Sequence, residues 1–235
     1  DEVYALHNWP ELPLGTFGVN SGPMMAAVDE FDITVKGKGG HAASPHLAID
    51  PVVISAQVIS AVQTIISRST DPVDKALISI TKINAGTAYN VIDDQVKMGG
   101  TIRTFRRETR AYIEKRLNEL CKGIADAHGA EIKIEFDLVN KYPPTINSKE
   151  ETKFAANVAK DLVGDDKVIT DIDPSMGGED FSYLLEKKPG SYLYLGQGDA
   201  EHSAHLHTTK YDFNDNLLPI GVNFWVDLVQ KYFSK

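Results

Sequence analysis

The segment AAVDEFDITVK, Ala26 to Lys36, sets Val28, Phe31, Ile33 and Val35 in a loose alternation that predicts a half-buried strand. Asp50-Pro51 then opens a helix, with Asp as N-cap and Pro at the first helical position. Val52, Ala56, Ile59, Val62 and Ile66 follow at helical spacing and are its expected buried face. Two further strands are expected in ALISITKINAG and QVKMGGTIRTF. A second helix is predicted from Glu108 to His128. Ile113, Leu117, Leu120, Cys121 and Ile124 share one face, and Gly129 is the stop. EIKIEFDLV closes the series with Ile132, Ile134, Phe136 and Leu138 in alternation. The order β-α-β-β-α-β is the split βαβ, ferredoxin-like arrangement, an antiparallel four-stranded sheet with two helices on one face.

The flanks read differently. VYALH predicts a short buried strand ending at His7, followed by turn residues in PELPLG and VNSGP. Paired prolines in NKYPPTINS resist both helix and central strand and mark a boundary. Beyond it come a helix near 148–163, a strand near 167–172, a helix across EDFSYLLEKK and a strand SYLYLGQG. A histidine loop and a final helix from about 215 to 233 complete the chain. The expected fold class is α/β. Residues 1–23 and 140–235 form part of a larger domain, and the ferredoxin-like unit, 24–139, is inserted into it. Most of that larger domain is expected upstream of residue 1.

Composition narrows the function. The 235 residues carry a net charge of −9 with no run of Lys or Arg. A nucleic acid or an anionic membrane is therefore not the expected partner, because phosphate surfaces require clustered positive charge. One cysteine excludes an internal disulfide framework. No apolar stretch is expected to approach the roughly 20 residues that span a bilayer; PVVISAQVISAVQTIISRS reads as an amphipathic helix. The opening DEVYALHNWPEL has no initiator Met and no leader, so the chain reads as a fragment or processed product with a cytoplasmic expectation.

The chemistry-bearing candidates are few. His202, His205 and His207 lie within EHSAHLHTTKYDF, three of seven histidines. A surface role is expected for His202 and His205. His207 precedes a return towards the core and is either a ligand or another surface histidine. An H-x-H pair of His205 and His207 on one strand face is the rival arrangement. His7, at an expected strand end, is either a site residue or a hydrogen-bonded core histidine. His128, beside Gly129, reads as a solvated cap. Glu179 and Asp180 follow two glycines in PSMGGEDFS, which suits either a ligand-approached loop or an acidic helix start. His41, in the glycine-rich GKGGHAASPH, is poorly placed to pack and well placed to donate to a developing oxyanion. Asn90 in GTAYNVI and Arg103 in GTIRTF are polar groups among glycines and apolar strand residues, open to a substrate role or to a turn and an ion pair.

LHNWPELPLG, FDITVKGKGGHAASPH, AGTAYNVI, GTIRTF, YPPTIN, GGEDFS, PGSYLYLG and LHTT, in this order, resemble the M20 metallopeptidases, and most closely the amidohydrolases that cleave N-acyl amino acids. The likeness covers essentially the whole chain. It implies a metallo-exopeptidase-like α/β catalytic domain holding two divalent metals, zinc or manganese, with an inserted lid that forms a homodimer. It implies His7 and His207 as metal ligands, His41 as oxyanion donor, and Asn90, Arg103 and Glu179 as substrate-binding residues. The substrate is then a small N-acyl amino acid. The family's Cys-Gly-His motif and Glu-Glu pair have no counterpart here, so the fragment alone is expected to be inactive. A peptide-cleaving M20 enzyme and a non-catalytic remnant are the alternatives.

Overall fold

The computed structural model describes residues 1–137, 139 and 141–234. Leu138 and Asn140, which the expected last strand and the expected boundary include, lie outside the described residues. The first segment runs β1 (Val3–Pro13), β2 (Phe17–Gly18) and β3 (Gly22–Met25). The middle runs β4 (Ala27–Lys36), β5 (Gly40–His41), α1 (Pro51–Thr64), β6 (Ala76–Asn84), β7 (Val91–Ile92), β8 (Gln95–Thr104), α2 (Arg107–His128) and β9 (Glu131–Phe136). The last runs β10 (Thr145–Asn147), α3 (Lys149–Val163), β11 (Val168–Ile169), α4 (Ser182–Leu185), β12 (Gly190–Gly198) and α5 (Leu217–Phe233). Contacts divide these into two compact units, Asp1–Ala26 with Pro144–Lys235, and Ala27–Pro143.

In the middle unit the sheet order is β6-β8-β4-β9, antiparallel throughout. Odd-numbered residues of β4 (Phe31, Ile33, Val35) face the helices with Val96, Met98 and Ile102 of β8. Ile113, Leu117 and Cys121 of α2 close that core. Gly129 ends α2 at φ 65°, in the left-handed region. Asp50 caps α1, its Oδ1 accepting from the Val52 and Val53 amides at 2.8 and 3.4 Å.

The face of α1 corrects the expectation in part: Val62 is buried as expected and Ile59 and Ile66 pack partly buried against the core, but the stripe is centred elsewhere. Ile54, Val58, Val62 and Ile65 are buried, whereas Val52 is 45% exposed and Ala56 is exposed. Apolar residues surround this helix, so two stripes fit the helical period, and packing on the sheet selects the one that begins at Ile54. A π-turn (Ile65–Ser69) prolongs α1, and Pro51–Ser69 as a whole is long and apolar enough to cross a membrane by length and composition. The expectation that no stretch approaches that length is therefore overturned. Here the buried stripe of that helix packs on the sheet.

At the α2 N-terminus lies a buried charge cluster. Asp29, 1% exposed, pairs with Arg110, and Lys141 approaches it at 3.5 Å. Removing one member of such a buried pair typically costs about 3–5 kcal/mol, because the other charge is left desolvated.

In the other unit the sheet order is β1-β12-β2-β11, with β1 parallel to β12. β12 alternates cleanly. Leu193 and Leu195 pack with α3 and α5 residues such as Ala155, Ala159, Phe224 and Leu228. Tyr192 and Tyr194 point to the opposite face with Met24 and Phe181. Trp9 stacks on Tyr194 at 3.8 Å between ring centroids. Three expected boundaries shift. β1 runs through His7 to Pro13, so His7 lies within a strand and not at its end. The strand near 167–172 reduces to Val168–Ile169, and the helix across EDFSYLLEKK to Ser182–Leu185.

Candidate active site

Pairing with β12 continues along β1 to Trp9, which places His7 opposite Tyr194 in register. His7 Nδ1 donates to the Asn8 carbonyl at 2.7 Å. A carbonyl only accepts, so this bond puts the proton on Nδ1 and leaves the Nε2 lone pair available. The His7 ring lies 6.2 Å from the ring of Tyr192. The Tyr192 hydroxyl in turn donates to Glu179 Oε2 at 2.6 Å, and Glu179 Oε1 accepts from the Phe181 amide at 3.3 Å. Burial first, and then Glu179, push the Tyr192 phenol well above its ordinary range, so it remains a protonated donor. Two sequence candidates, His7 and Glu179, are thus brought together through a residue that the sequence reading did not single out.

The segment that carries His207 is a series of turns and not a strand, so His205 and His207 are not an H-x-H pair on one strand face. His207 adopts φ 60°, a conformation uncommon outside glycine. Its loop is pinned at the neck. Asp199 Oδ1 accepts from the Glu201 and His202 amides at 2.9 Å and from His202 Nδ1 at 2.8 Å. Asn214 Nδ2 donates to Asp199 Oδ2 at 2.8 Å and to the Gln197 carbonyl at 3.0 Å. The bonds from His202 and the two amides pull the Asp199 carboxyl down to about 2, and Asp199 raises His202 above its ordinary value. His205 Nδ1 meets Glu11 Oε1 at 2.7 Å.

Asn8 links this loop to β1. Its Nδ2 donates to the Tyr211 hydroxyl at 2.6 Å and to Gln197 Oε1 at 2.8 Å. Gln197, fully buried on β12, also donates through Nε2 to the Asp212 carbonyl at 3.1 Å. Asn8, Gln197 and Tyr211 were missed from sequence. The available signal was Gln197 itself, a polar residue at the end of the apolar run SYLYLG.

In the inserted unit, His41 and Asn90 are neighbours. β5 pairs with β7, His41 opposite Val91, and the Ala42 amide donates to the Asn90 carbonyl at 3.0 Å. The bend depends on Gly37, where a Cβ would fall 2.0 Å from the Ile49 carbonyl oxygen. His41 is exposed, and its Nδ1 accepts from the Ala43 amide at 3.0 Å. That bond places the ring proton on Nε2, the opposite tautomer from His7. Arg103 lies apart from this pair, on the sheet face away from the helices. There it lines a cavity of about 400 Å³ with Glu30, Asp32, Thr81, Lys82 and Thr101. Its Nε donates to Thr101 Oγ1 at 3.1 Å. Burial lowers its affinity for its proton, against the opposing pull of Glu30 and Asp29.

His128 is half-buried and its Nε2 meets Gln57 Oε1 at 2.9 Å. Cys121 sits in the α2 core, where burial pushes its thiol up to about 11. Among the described residues no three His, Cys, Asp or Glu side chains come together as a metal-ready cluster. An imidazole nitrogen such as His7 Nε2 suits a borderline-soft divalent ion.

The sequence profile of peptidase family M20/M25/M40 matches residues 1–231. The N-acetylcysteine deacetylase of Bacillus subtilis is 36% identical over 226 residues, 96% of this chain and 57% of its own length. The hippurate hydrolase of Campylobacter jejuni is 38% identical over 234 residues, 100% of this chain and 60% of its own. A solved Bacillus subtilis structure, the YXEP protein, described as a dinuclear metal binding peptidase from the M20 family, superposes with a TM-score of 0.78 at 31% identity. It covers 97% of this chain and 56% of that one. The chain thus spans less than two thirds of the length of these relatives.

Proposed function

Because this chain belongs to peptidase family M20/M25/M40, we propose that it supplies two imidazole ligands and the substrate-binding unit of a metal-dependent amidohydrolase acting on N-acyl amino acids. One observation carries the reading. The Asn8 carbonyl fixes the His7 tautomer so that Nε2 presents a lone pair, the arrangement in which a backbone acceptor orients a metal-binding histidine. The names of the similar deacetylase and hippurate hydrolase support the N-acyl amino acid class.

His7 and His207 would hold part of a divalent pair, zinc or manganese, which when bound polarises the scissile carbonyl and acidifies a water. The remaining ligands and the general base are not among these residues. His41, protonated at Nε2, donates to the oxyanion of the tetrahedral state, where a fixed donor acts more strongly than on the ground-state carbonyl. Arg103 offers a guanidinium to the substrate carboxylate, a pairing suited to its planar fork of donors. Asn90 orients the same substrate beside His41. Glu179, held by Tyr192, would meet the substrate near His7. Dimerisation of the inserted unit uses β6 or β9, the strands at the edges of its sheet, because pairing an edge across a two-fold axis satisfies exposed backbone groups.

The test is hydrolysis of N-acetylmethionine, hippurate and dipeptides in zinc or manganese. The substrates are presented to the chain alone and to the chain joined to the unmatched stretch of the Bacillus subtilis deacetylase. Turnover of the acyl amino acids by the joined protein alone is expected. A folded joined protein that cleaves dipeptides and spares the acyl amino acids would favour the peptidase alternative.

A further inference from the structure

The outer face of the inserted sheet gathers charges that do not neutralise one another. Arg103, Glu30, Asp32 and Lys82 all line one cavity of about 400 Å³. Among the described residues, none of the four takes part in an ion pair within 4 Å. Asp29, which acts on Arg103 through its charge, is already held by Arg110 and approached by Lys141 at 3.5 Å. Arg103 is half-buried and its guanidinium is aimed. Its Nε donates to Thr101 Oγ1 at 3.1 Å, and Thr101 Oγ1 donates to the Asp29 carbonyl at 2.9 Å. A guanidinium tied down through Nε keeps its outer donors for a ligand, and a carboxylate accepts two parallel bonds from such a fork.

Strand register spaces the other charges. Thr101 lies opposite Glu30, and Gly99 lies between Asp32 on β4 and Lys82 on β6. Residues directly opposite share a sheet face, so Glu30 stands two residues along β8 from Arg103, roughly 7 Å, and Asp32 and Lys82 stand four along, roughly 14 Å. At Gly99 a Cβ would fall 2.8 Å from Asp32 Oδ1 and 3.4 Å from Lys82 Cδ, so both side chains lean over that glycine. Asp137, also in the lining, accepts from the Val139 amide at 2.7 Å. Once Arg103 holds a carboxylate, three acids and one ammonium face whatever extends beyond it. The field there is negative.

We infer that this cavity reads the side chain of the leaving amino acid and selects one that is positively charged, with Glu30 first and Asp32 beyond it accepting from its ammonium. The inference rests on the proposed pairing of Arg103 with the substrate carboxylate, and it names the substrate within that class: the N-acyl derivative of a basic amino acid. The flexible four-carbon stem of a lysine spans the interval from Arg103 to Glu30. A neutral side chain of similar length would desolvate Glu30 without pairing it, which is the costlier arrangement. An acidic side chain would meet Glu30 before it reached Lys82.

Binding of small probes to the chain alone, followed by NMR shifts and calorimetry, tests this without catalysis. Nα-acetyllysine should bind about tenfold more tightly than Nα-acetylnorleucine, since a charge-assisted hydrogen bond distinguishes them. Glu30→Gln combined with Asp32→Asn should erase that difference; both residues are exposed, so the variant is expected to fold, as melting would verify. Equal binding of the two probes by the unaltered chain would overturn the inference, as would no measurable binding of Nα-acetyllysine. Tighter binding of N-acetylglutamate would overturn it too, because Lys82 would then set the choice. Nα-acetyllysine amide, which lacks the carboxylate, should bind more weakly than the acid. If amide and acid bind alike while lysine still surpasses norleucine, the Arg103 pairing fails and the selection for a cation stands. A joined protein that hydrolyses no N-acyl amino acid would defeat the proposed activity and leave the binding result in force.

Discussion

Tyr192 donates its hydroxyl proton to Glu179 at 2.6 Å from a position 1% exposed, and its ring lies beside that of His7. One buried strand residue therefore fixes the GGED loop beside the histidine of the neighbouring strand. The loop has little regular structure of its own, since α4 extends only over Ser182–Leu185, so this contact is a principal anchor for the carboxylate.

Tyr192→Phe keeps the ring and deletes the donor. Hydrogen bonds to carboxylates contribute about 1.5–3 kcal/mol, and a loss of that size is expected in urea unfolding of the chain. An unchanged midpoint would mean that water replaces the phenol at no cost and that the contact does not anchor the loop.

Zinc affinity tests the incompleteness of the ligand set. If His7 and His207 are ligands as proposed, two imidazoles make a poor site without further donors, because each remaining position must be filled by water. Equilibrium dialysis of the chain alone should detect only weak binding. Tight stoichiometric binding, abolished by His7→Ala combined with His207→Ala, would show that this chain closes a site by itself.

Much of the inserted unit was legible because its strands alternate and its helices carry caps: Asp50 and Gly129 behave as their residue types dictate. The face of α1 was legible only in part: Val62 is buried, but Val52 is as apolar as Ile54 and Val58, and only the sheet distinguishes them. The end of β1 was also obscured. Asn8, Glu11 and two prolines look like a turn, yet pairing with β12 continues to Trp9 and resumes after a bulge at Pro13. His7 and Glu179 were legible as chemistry-bearing residues in suggestive settings. Their link through Tyr192 was not, because sequence cannot reveal which tyrosine of SYLYLG faces the GGED loop.

The neck of the His207 loop should respond to pH at both ends of its range. Asp199, lowered to about 2 from 3.8, contributes stability that is present above about pH 3.8 and lost as pH falls towards 2. His202 is raised from 6.5, so its contribution is present in full below about pH 6.5 and lost as pH rises through the raised value. The pair is therefore complete between those limits. Exchange rates of the loop amides, corrected for intrinsic pH dependence, should pass through a minimum near pH 5. His202→Ala should remove the alkaline limb and leave the acid one. An alkaline limb that survives in His202→Ala would assign the effect to another group.

His41 offers the most direct test of the catalytic proposal. With Nδ1 occupied by the Ala43 amide, its outward Nε2–H is a ready donor, and in the joined, active protein His41→Ala should lower kcat by about 10²–10³. KM should change little, because an oxyanion forms only in the transition state. Mixing subunits then asks whose site it serves. One subunit carries His41→Ala with intact ligands, and the other carries a wild-type inserted unit with His207→Ala. If His41 acts across the dimer, the heterodimer holds one complete composite site, and up to about half of wild-type activity should return by site counting in a two-fold dimer. A large loss without rescue in verified heterodimers would place His41 over its own subunit's site. Normal activity in His41→Ala would leave GKGGHAASPH as a tight bend built around Gly37 and nothing more.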